Sequence, residues 1–267
     1  MSLWLTEQGI DHDRVFADTG WEHPATYEYL RGPLTAKLGP ITEVRGPRGM
    51  ADLVLHKNMF PARVRRFCTE ELKVKPLIAY FAALPDDVDH VNAVGIRAAE
   101  SQARARLPEW EWSDAFDCYV WRPLIRWTEA DVITMHSRHG LAPNPLYLQG
   151  ARRVGCWPCI FASKAELRML ARIDPARVDE IEALEQQMHA KRDATFAARG
   201  EEQTRPSTFF TLRPGGKHVP TPIRDVIAWA TSETSGQMRL DTDGDEGCMR
   251  WGLCEPVQHT STQEDQP

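Results

Sequence analysis

Short apolar runs alternate with amphipathic stretches along the first half of the chain. Residues 2–9 read as the end of a helix with Leu3, Trp4 and Leu5 on its apolar side. Residues 14–18 (RVFAD) form the first strand-like run, closed by the polar turn Thr19-Gly20-Trp21-Glu22. A helix is predicted after His23-Pro24, a strand over 41–44 and a short helix over 50–57. Leu72, Leu77, Ile78 and Phe81 share one face of a helix over 69–84, which Pro76 interrupts. Residues 88–94 are apolar and β-branched and read as a buried strand; a helix over 98–106 follows the turn Gly95-Ile96-Arg97. Residues 116–121 are the next strand. Thr128 and Asp131 sit at the N-cap and N3 positions of a helix over 128–138.

This alternation predicts an α/β fold with a mostly parallel sheet. Ligands in such sheets bind beyond the C-terminal ends of strands, where Asp18, Gly20, Gly95 and Arg97 fall. From residue 164 the pattern becomes helical and charged, with a last short helix over 223–230. Residues 231–247 are polar and turn-rich. The expected organisation is an α/β domain over 1–163, a helical extension over 164–230 and a flexible acidic tail over 231–267.

Charge changes this picture in one respect. The 267 residues carry a formal charge of −6, which argues against a broadly basic nucleic-acid binder. Residues 241–267 hold seven acids and one base, so the remaining body is neutral and has room for a basic site. No apolar run has the length of a membrane span, and the first residues lack a signal-peptide pattern, which predicts a cytoplasmic protein with no membrane partner.

Six cysteines without an export signal point to thiol, metal or redox chemistry. Cys156-Trp-Pro-Cys159 places two thiols where they share one metal or close one disulfide; two buried structural thiols are the plain alternative. Cys248 and Cys254 flank an aromatic, Gly-containing segment of the tail and are candidates to complete a metal site or deliver a nucleophile. Cys118 falls inside a predicted strand and reads as core. Arg63, Arg65, Arg66, Lys73 and Lys75 surround Cys68, and Arg152 and Arg153 precede Cys156. Such side chains suit phosphate or sulfate; a solvated basic face is the alternative. Asp18-Thr19-Gly20 suits a ribose or adenine edge, or is a capping turn. Gly95 permits close backbone approach and Arg97 sits where anions bind, whereas Glu100 and Arg104 are spaced for an internal ion pair.

Together, VFADTGWEHPATYEYL (15–30), RFCTEELKVKPL (66–77), GIRAAESQAR (95–104), WRPLIRWTEADV (121–132) and NPLYLQGARRVGCWPC (144–159) resemble the phosphoadenosine-phosphosulfate reductase family. The resemblance implies a Rossmann-like sheet of the adenine nucleotide α-hydrolase type, with residues 1–163 as the nucleotide-binding unit. It implies reduction of an adenine sulfonucleotide to sulfite, with a thiol electron donor such as thioredoxin.

The branch similar to adenylylsulfate reductases binds a [4Fe–4S] cluster through a Cys-Cys pair and a later Cys-x-x-Cys. Here Phe67-Cys68 stands at the pair and Cys156 and Cys159 match the later motif, so three of the four ligands have counterparts; the fourth must come from elsewhere, Cys248 or Cys254 being nearest, and Cys248 is taken as that metal ligand. Zinc is the alternative metal. Cys254 is carried over as the catalytic nucleophile, although Gly252-Leu253-Cys254-Glu255 departs from the family's Glu-Cys-Gly motif. Asp18, Gly20, Lys73, Gly95, Arg97, Arg152 and Arg153 are the expected substrate-binding residues. The family's first strand and Ser-Gly-Gly-Lys-Asp-Ser loop have no counterpart here, and the opening segment looks like the helix that follows that loop. This leaves two further expectations: sulfur transfer to a nucleic acid, or a non-catalytic nucleotide- or cluster-binding role.

Overall fold

The computed structural model describes residues 1–62, 65–85, 87–203, 206–213 and 217–232. Strands β1 (Val15–Asp18) and β2 (Thr42–Arg45) pair in parallel, from Val15 opposite Thr42 to Asp18 opposite Arg45. A second sheet holds β3 (Val91–Ala93), β4 (Trp110–Ser113) and β5 (Cys118–Trp121) in the order β3-β5-β4. β3 pairs parallel with β5, whereas β4 runs antiparallel along its other side. The parallel pairings fall where helices separate the strands, as the alternation requires. β6 (Phe210–Leu212) and β7 (Val219–Thr221) add an antiparallel pair outside the predicted strands.

The long helix expected over 69–84 is broken. Phe67–Thr69 leads into a π-turn, Glu70–Val74, and then into Lys75–Phe81. Pro76 lacks an N–H and its ring crowds the carbonyl of Leu72, so the ladder widens one turn before it. The same device recurs at Leu30–Leu34, with Pro33 inside the π-turn. The predicted capping box is present: Asp131 N donates to Thr128 Oγ1 at 3.2 Å, and Thr128 N to Asp131 Oδ2 at 2.7 Å.

β3 corrects an expectation. Val88 is 57% and Val91 44% exposed, so this is no buried strand. It lies at one edge of its sheet, and Val91 belongs to a largely exposed face that Trp4 meets only at Trp121. The opposite face is buried through Cys118 and Val120, which makes Cys118 the core thiol expected.

The main core runs from Trp21 and the Met50–Lys57 helix through Leu72 and Leu146. It continues into the helices Lys164–Ile173, Pro175–Ala197 and Ile223–Thr231. Buried Glu185 ties these last elements together: its carboxylate accepts from Phe209 N at 2.8 Å and Ile223 N at 3.0 Å. Glu185→Gln offers one acceptor and sets an NH₂ against the other backbone N–H, an expected loss of about 1–3 kcal/mol in chemical denaturation. Burial raises the Glu185 pKa above its ordinary 4.5. Between that value and the raised one the folded state binds more protons than the unfolded state, so this residue's stabilisation falls as pH rises. The gap between wild type and Glu185→Gln therefore narrows from pH 4.5 towards neutrality.

Candidate active site

The turn leaving β1 is built on two buried carboxylates, Asp18 at 6% and Glu22 at 3% exposure. Gly20 N donates to Asp18 Oδ1 at 2.8 Å, and Arg45 pairs with Asp18 Oδ2 at 3.0 Å. Thr19 Oγ1 donates to Glu22 Oε1 at 2.7 Å. The Tyr27 hydroxyl lies between both acids, 2.6 Å from Asp18 Oδ1 and 3.0 Å from Glu22 Oε2. Burial, and then these carboxylates, push its pKa well above the usual phenol range, so the hydroxyl stays a donor. Gly20 has φ +64°, and a Cβ there would meet the Arg45 guanidinium at 3.0 Å and Gly49 Cα at 3.3 Å. The glycine thus lets the turn pack closely on the start of the Met50–Lys57 helix.

The Cys-x-x-Cys loop docks onto this turn by backbone pairing. Glu22 and Cys156 form an antiparallel bridge, and Trp157 N donates to Trp21 O at 2.7 Å. Trp21 Nε1 returns a bond to Pro158 O at 3.2 Å. Trp157 Nε1 reaches Asp174 Oδ2 at 3.0 Å, which fastens the loop to the residue capping the Pro175–Ala197 helix. Cys156 Sγ ends 3.9 Å from Thr19 Oγ1.

Cys68, Cys156 and Cys159 lie in this region, Cys156 on the docked loop and Cys68 on the segment beside it. Cys68 and Cys156 each lie within electrostatic reach of Cys159, and Arg153 hydrogen-bonds Cys159. Burial raises the Cys68 pKa, opposed by its hydrogen bond from Thr69; burial also raises that of Cys156, opposed by the charge of Lys73. Arg66 stacks over Phe161 at 5.2 Å, holding the Cys68 segment against the loop. Sulfur donors beside cationic side chains suit a soft metal or an iron–sulfur cluster in kind. In number they fall short: among the described residues no three His, Cys, Asp or Glu side chains are grouped to hold a metal ion. Cys248, Cys254 and Arg63 lie outside the described residues.

The predicted binding residues divide into two groups. Lys73 and Arg153 lie beside the thiols, Asp18 and Gly20 stand in the turn onto which the Cys156 loop docks, and Arg152 is exposed next to Arg153 in sequence. Asp18 is engaged by the turn itself, and Arg153 also pairs with Glu166 at 2.9 Å. Gly95 and Arg97 follow β3 of the other sheet. Gly95 packs near Met1, and Arg97 faces Glu100 at 3.5 Å, which also pairs with Arg104. The internal ion pair is thus formed. Glu22, Tyr27 and Arg45 were not singled out by the sequence, although Glu22 stands in its polar turn, and Thr19 was named only within the Asp18-Thr19-Gly20 run.

The sequence has counterparts among known proteins. The sequence profile of the phosphoadenosine phosphosulfate reductase domain matches residues 3–162. The chain belongs to this family. An uncharacterized 37.8 kDa protein of Escherichia phage 186 is 35% identical over 253 residues, 73% of this chain and 75% of that protein. The adenosine 5'-phosphosulfate reductase of Streptomyces coelicolor is 31% identical over 153 residues, 55% of this chain. The chain spans 61% of that reductase's length. Among solved structures, a phosphoadenylyl-sulfate reductase from Candida auris, a phosphate complex, aligns at TM-score 0.45 and 21% identity. It covers 59% of this chain and 75% of that one. Like the rest of the described family domain, the later helices include none long and apolar enough to cross a membrane.

Proposed function

We propose that this reductase-family chain binds an adenine sulfonucleotide beside the Cys68, Cys156 and Cys159 thiols and reduces it to sulfite. The supporting observation is that the Cys156 loop is bridged to the turn that ends β1, with Lys73 within electrostatic reach of Cys156 and Arg153 hydrogen-bonded to Cys159. Cationic side chains there offset the charge of a phosphosulfate and orient its sulfur. Lys73 presents a point charge, while Arg152 and Arg153 offer planar donor pairs.

The chemistry balances with thiols alone. A cysteine thiolate, assigned to Cys254, attacks the sulfonate sulfur; an S–S bond forms, the S–O bond to the nucleotide breaks, and the nucleotide leaves with its phosphate charged. A second thiolate, from a dithiol donor of the thioredoxin class, attacks the cysteine sulfur and releases sulfite. The cysteine and the donor end as a disulfide, two electrons having passed to sulfur. Cys68, Cys156 and Cys159, with Cys248, would hold a [4Fe–4S] cluster beside the bound anion.

Purified protein is incubated with adenosine 5'-phosphosulfate or its 3'-phosphorylated form and a dithiol, and sulfite is measured. Sulfite release is expected from one of them; no release and no binding by calorimetry would overturn the reading. Lys73→Ala is expected to weaken sulfonucleotide binding by about 10–100-fold, the loss of one charge-assisted contact.

A further inference from the structure

The β3-β5-β4 sheet carries an open aromatic face that the proposed chemistry does not use. Residues opposite one another in the register point to the same side. Val91, Tyr119 and Trp112 therefore form one row, and Ala93, Trp121 and Trp110 a second. Trp110 is 48%, Trp112 51% and Tyr119 53% exposed. The rings order one another: Trp110 stacks on Trp121 at 5.0 Å, and Trp112 meets Tyr119 edge-on at 5.3 Å. Trp4 contacts Trp121 at 5.9 Å and covers only that corner.

We infer that this face is the contact between two copies of the chain, packed sheet on sheet about a two-fold axis parallel to the strands. Shape carries the choice of axis. The face slopes from bulky Trp110 and Trp112 on β4 to small Ala93 and Val91 on β3. A two-fold along the strands lays the tall side of each copy over the low side of the other, Trp112 above Val91 and Trp110 above Ala93. An axis across the strands would set tryptophan on tryptophan.

Area and charge favour a second copy over other occupants. An aromatic side chain offers roughly 150–250 Å², so the half-exposed rings with Val91 leave on the order of 300–400 Å² of apolar surface per copy. A standard interface takes about 800 Å² per partner, somewhat over half of it apolar. The patch thus supplies most of an apolar interface core. Glu109 and Asp114 accept from the indoles of Trp121 and Trp112 at 3.5 and 3.0 Å, which gives the patch an acidic rim that repels a polyanion. The same two-fold keeps these acids on opposite flanks of the pair.

Sedimentation velocity of the full chain over a wide concentration range tests this. Wild type is expected to approach twice the 30.3 kDa chain mass. Trp112→Arg and Val91→Arg should each weaken the pair by roughly 100-fold or more, because a two-fold contact feels each substitution twice. Val91→Trp should also dissociate it, by filling the low side. Circular dichroism checks that each variant is folded, and either arginine variant suffices. A single-chain mass at all concentrations, or a dimer that none of the three variants weakens, overturns the proposal. A dimer broken by Trp112→Arg but untouched by Val91→Trp overturns the packing about this axis. A single-chain protein that binds single-stranded oligonucleotide, and loses it in Trp112→Arg, assigns the face to nucleic acid instead.

Discussion

Cys156→Ser is expected to strip iron from the protein. Anaerobically purified wild type should carry about four irons per chain, the content of one [4Fe–4S] cluster, and the variant well under one. The thiol sits where a backbone bridge to Glu22 fixes its position, so serine keeps the fold of the loop while replacing a soft donor with a hard, poorly acidic hydroxyl. Sulfite release should fall with the iron. Cys118→Ser is the internal control: Cys118 is 5% exposed in the core of the second sheet, and its loss should leave the iron content unchanged. Stoichiometric zinc in wild type would turn the same three sulfurs into a structural site. An iron-free wild type that still releases sulfite would remove the cluster from the proposal and leave the thiol chemistry standing.

The thiols and their basic neighbours were legible because cysteine spacing and charge are local properties of a sequence. The frame that positions them was not. Glu22 lies in a polar turn and reads as solvated, yet it is 3% exposed because the Cys-x-x-Cys loop, more than a hundred residues later, folds back over it. Tyr27 looks like an ordinary helix residue until Asp18 and Glu22 are brought to either side of its hydroxyl. Such long-range pairings leave no periodic trace. Arg97 shows the converse: its place at a strand end was visible, but its Glu100 partner competes for the charge that an anion would need.

The fold divides along similar lines. Helix boundaries set by caps, such as Thr128 with Asp131, follow from adjacent residues and matched. The Met50–Lys57 helix also matched. The π-turn before Pro76 was visible only as an interruption, since proline marks a break without saying how the backbone absorbs it, and the one around Pro33 was not read at all. β4 was missed although Trp110-Glu111-Trp112-Ser113 alternates with a period of two. Its outward residues are aromatic and its inward Glu111 is satisfied by buried Arg122 at 2.7 Å, which inverts the usual pattern of apolar inside and polar outside.

Trp21→Ala should be the most destabilising single change at the site and the one that shows how the cysteine loop is held. Trp21 is 1% exposed, stacks on Phe209 at 5.9 Å and lies under the Arg177 guanidinium at 4.4 Å. Truncating a buried aromatic of this size costs about 3–5 kcal/mol, a large part of the stability of an ordinary domain. Trp21→Phe separates the contributions. It keeps most of the ring volume but loses the Nε1 bond to Pro158 O, leaving a buried carbonyl short of one donor at a cost of about 1–3 kcal/mol. The backbone bond from Trp157 N to Trp21 O persists in both variants, so any loosening of the loop reports on the side chain alone. Alkylation of Cys156 and Cys159 under native conditions should accelerate in the order wild type, Trp21→Phe, Trp21→Ala. Equal rates in all three, with stability reduced, would mean that the backbone bridge to Glu22 anchors the thiols unaided and that Trp21 serves only the core.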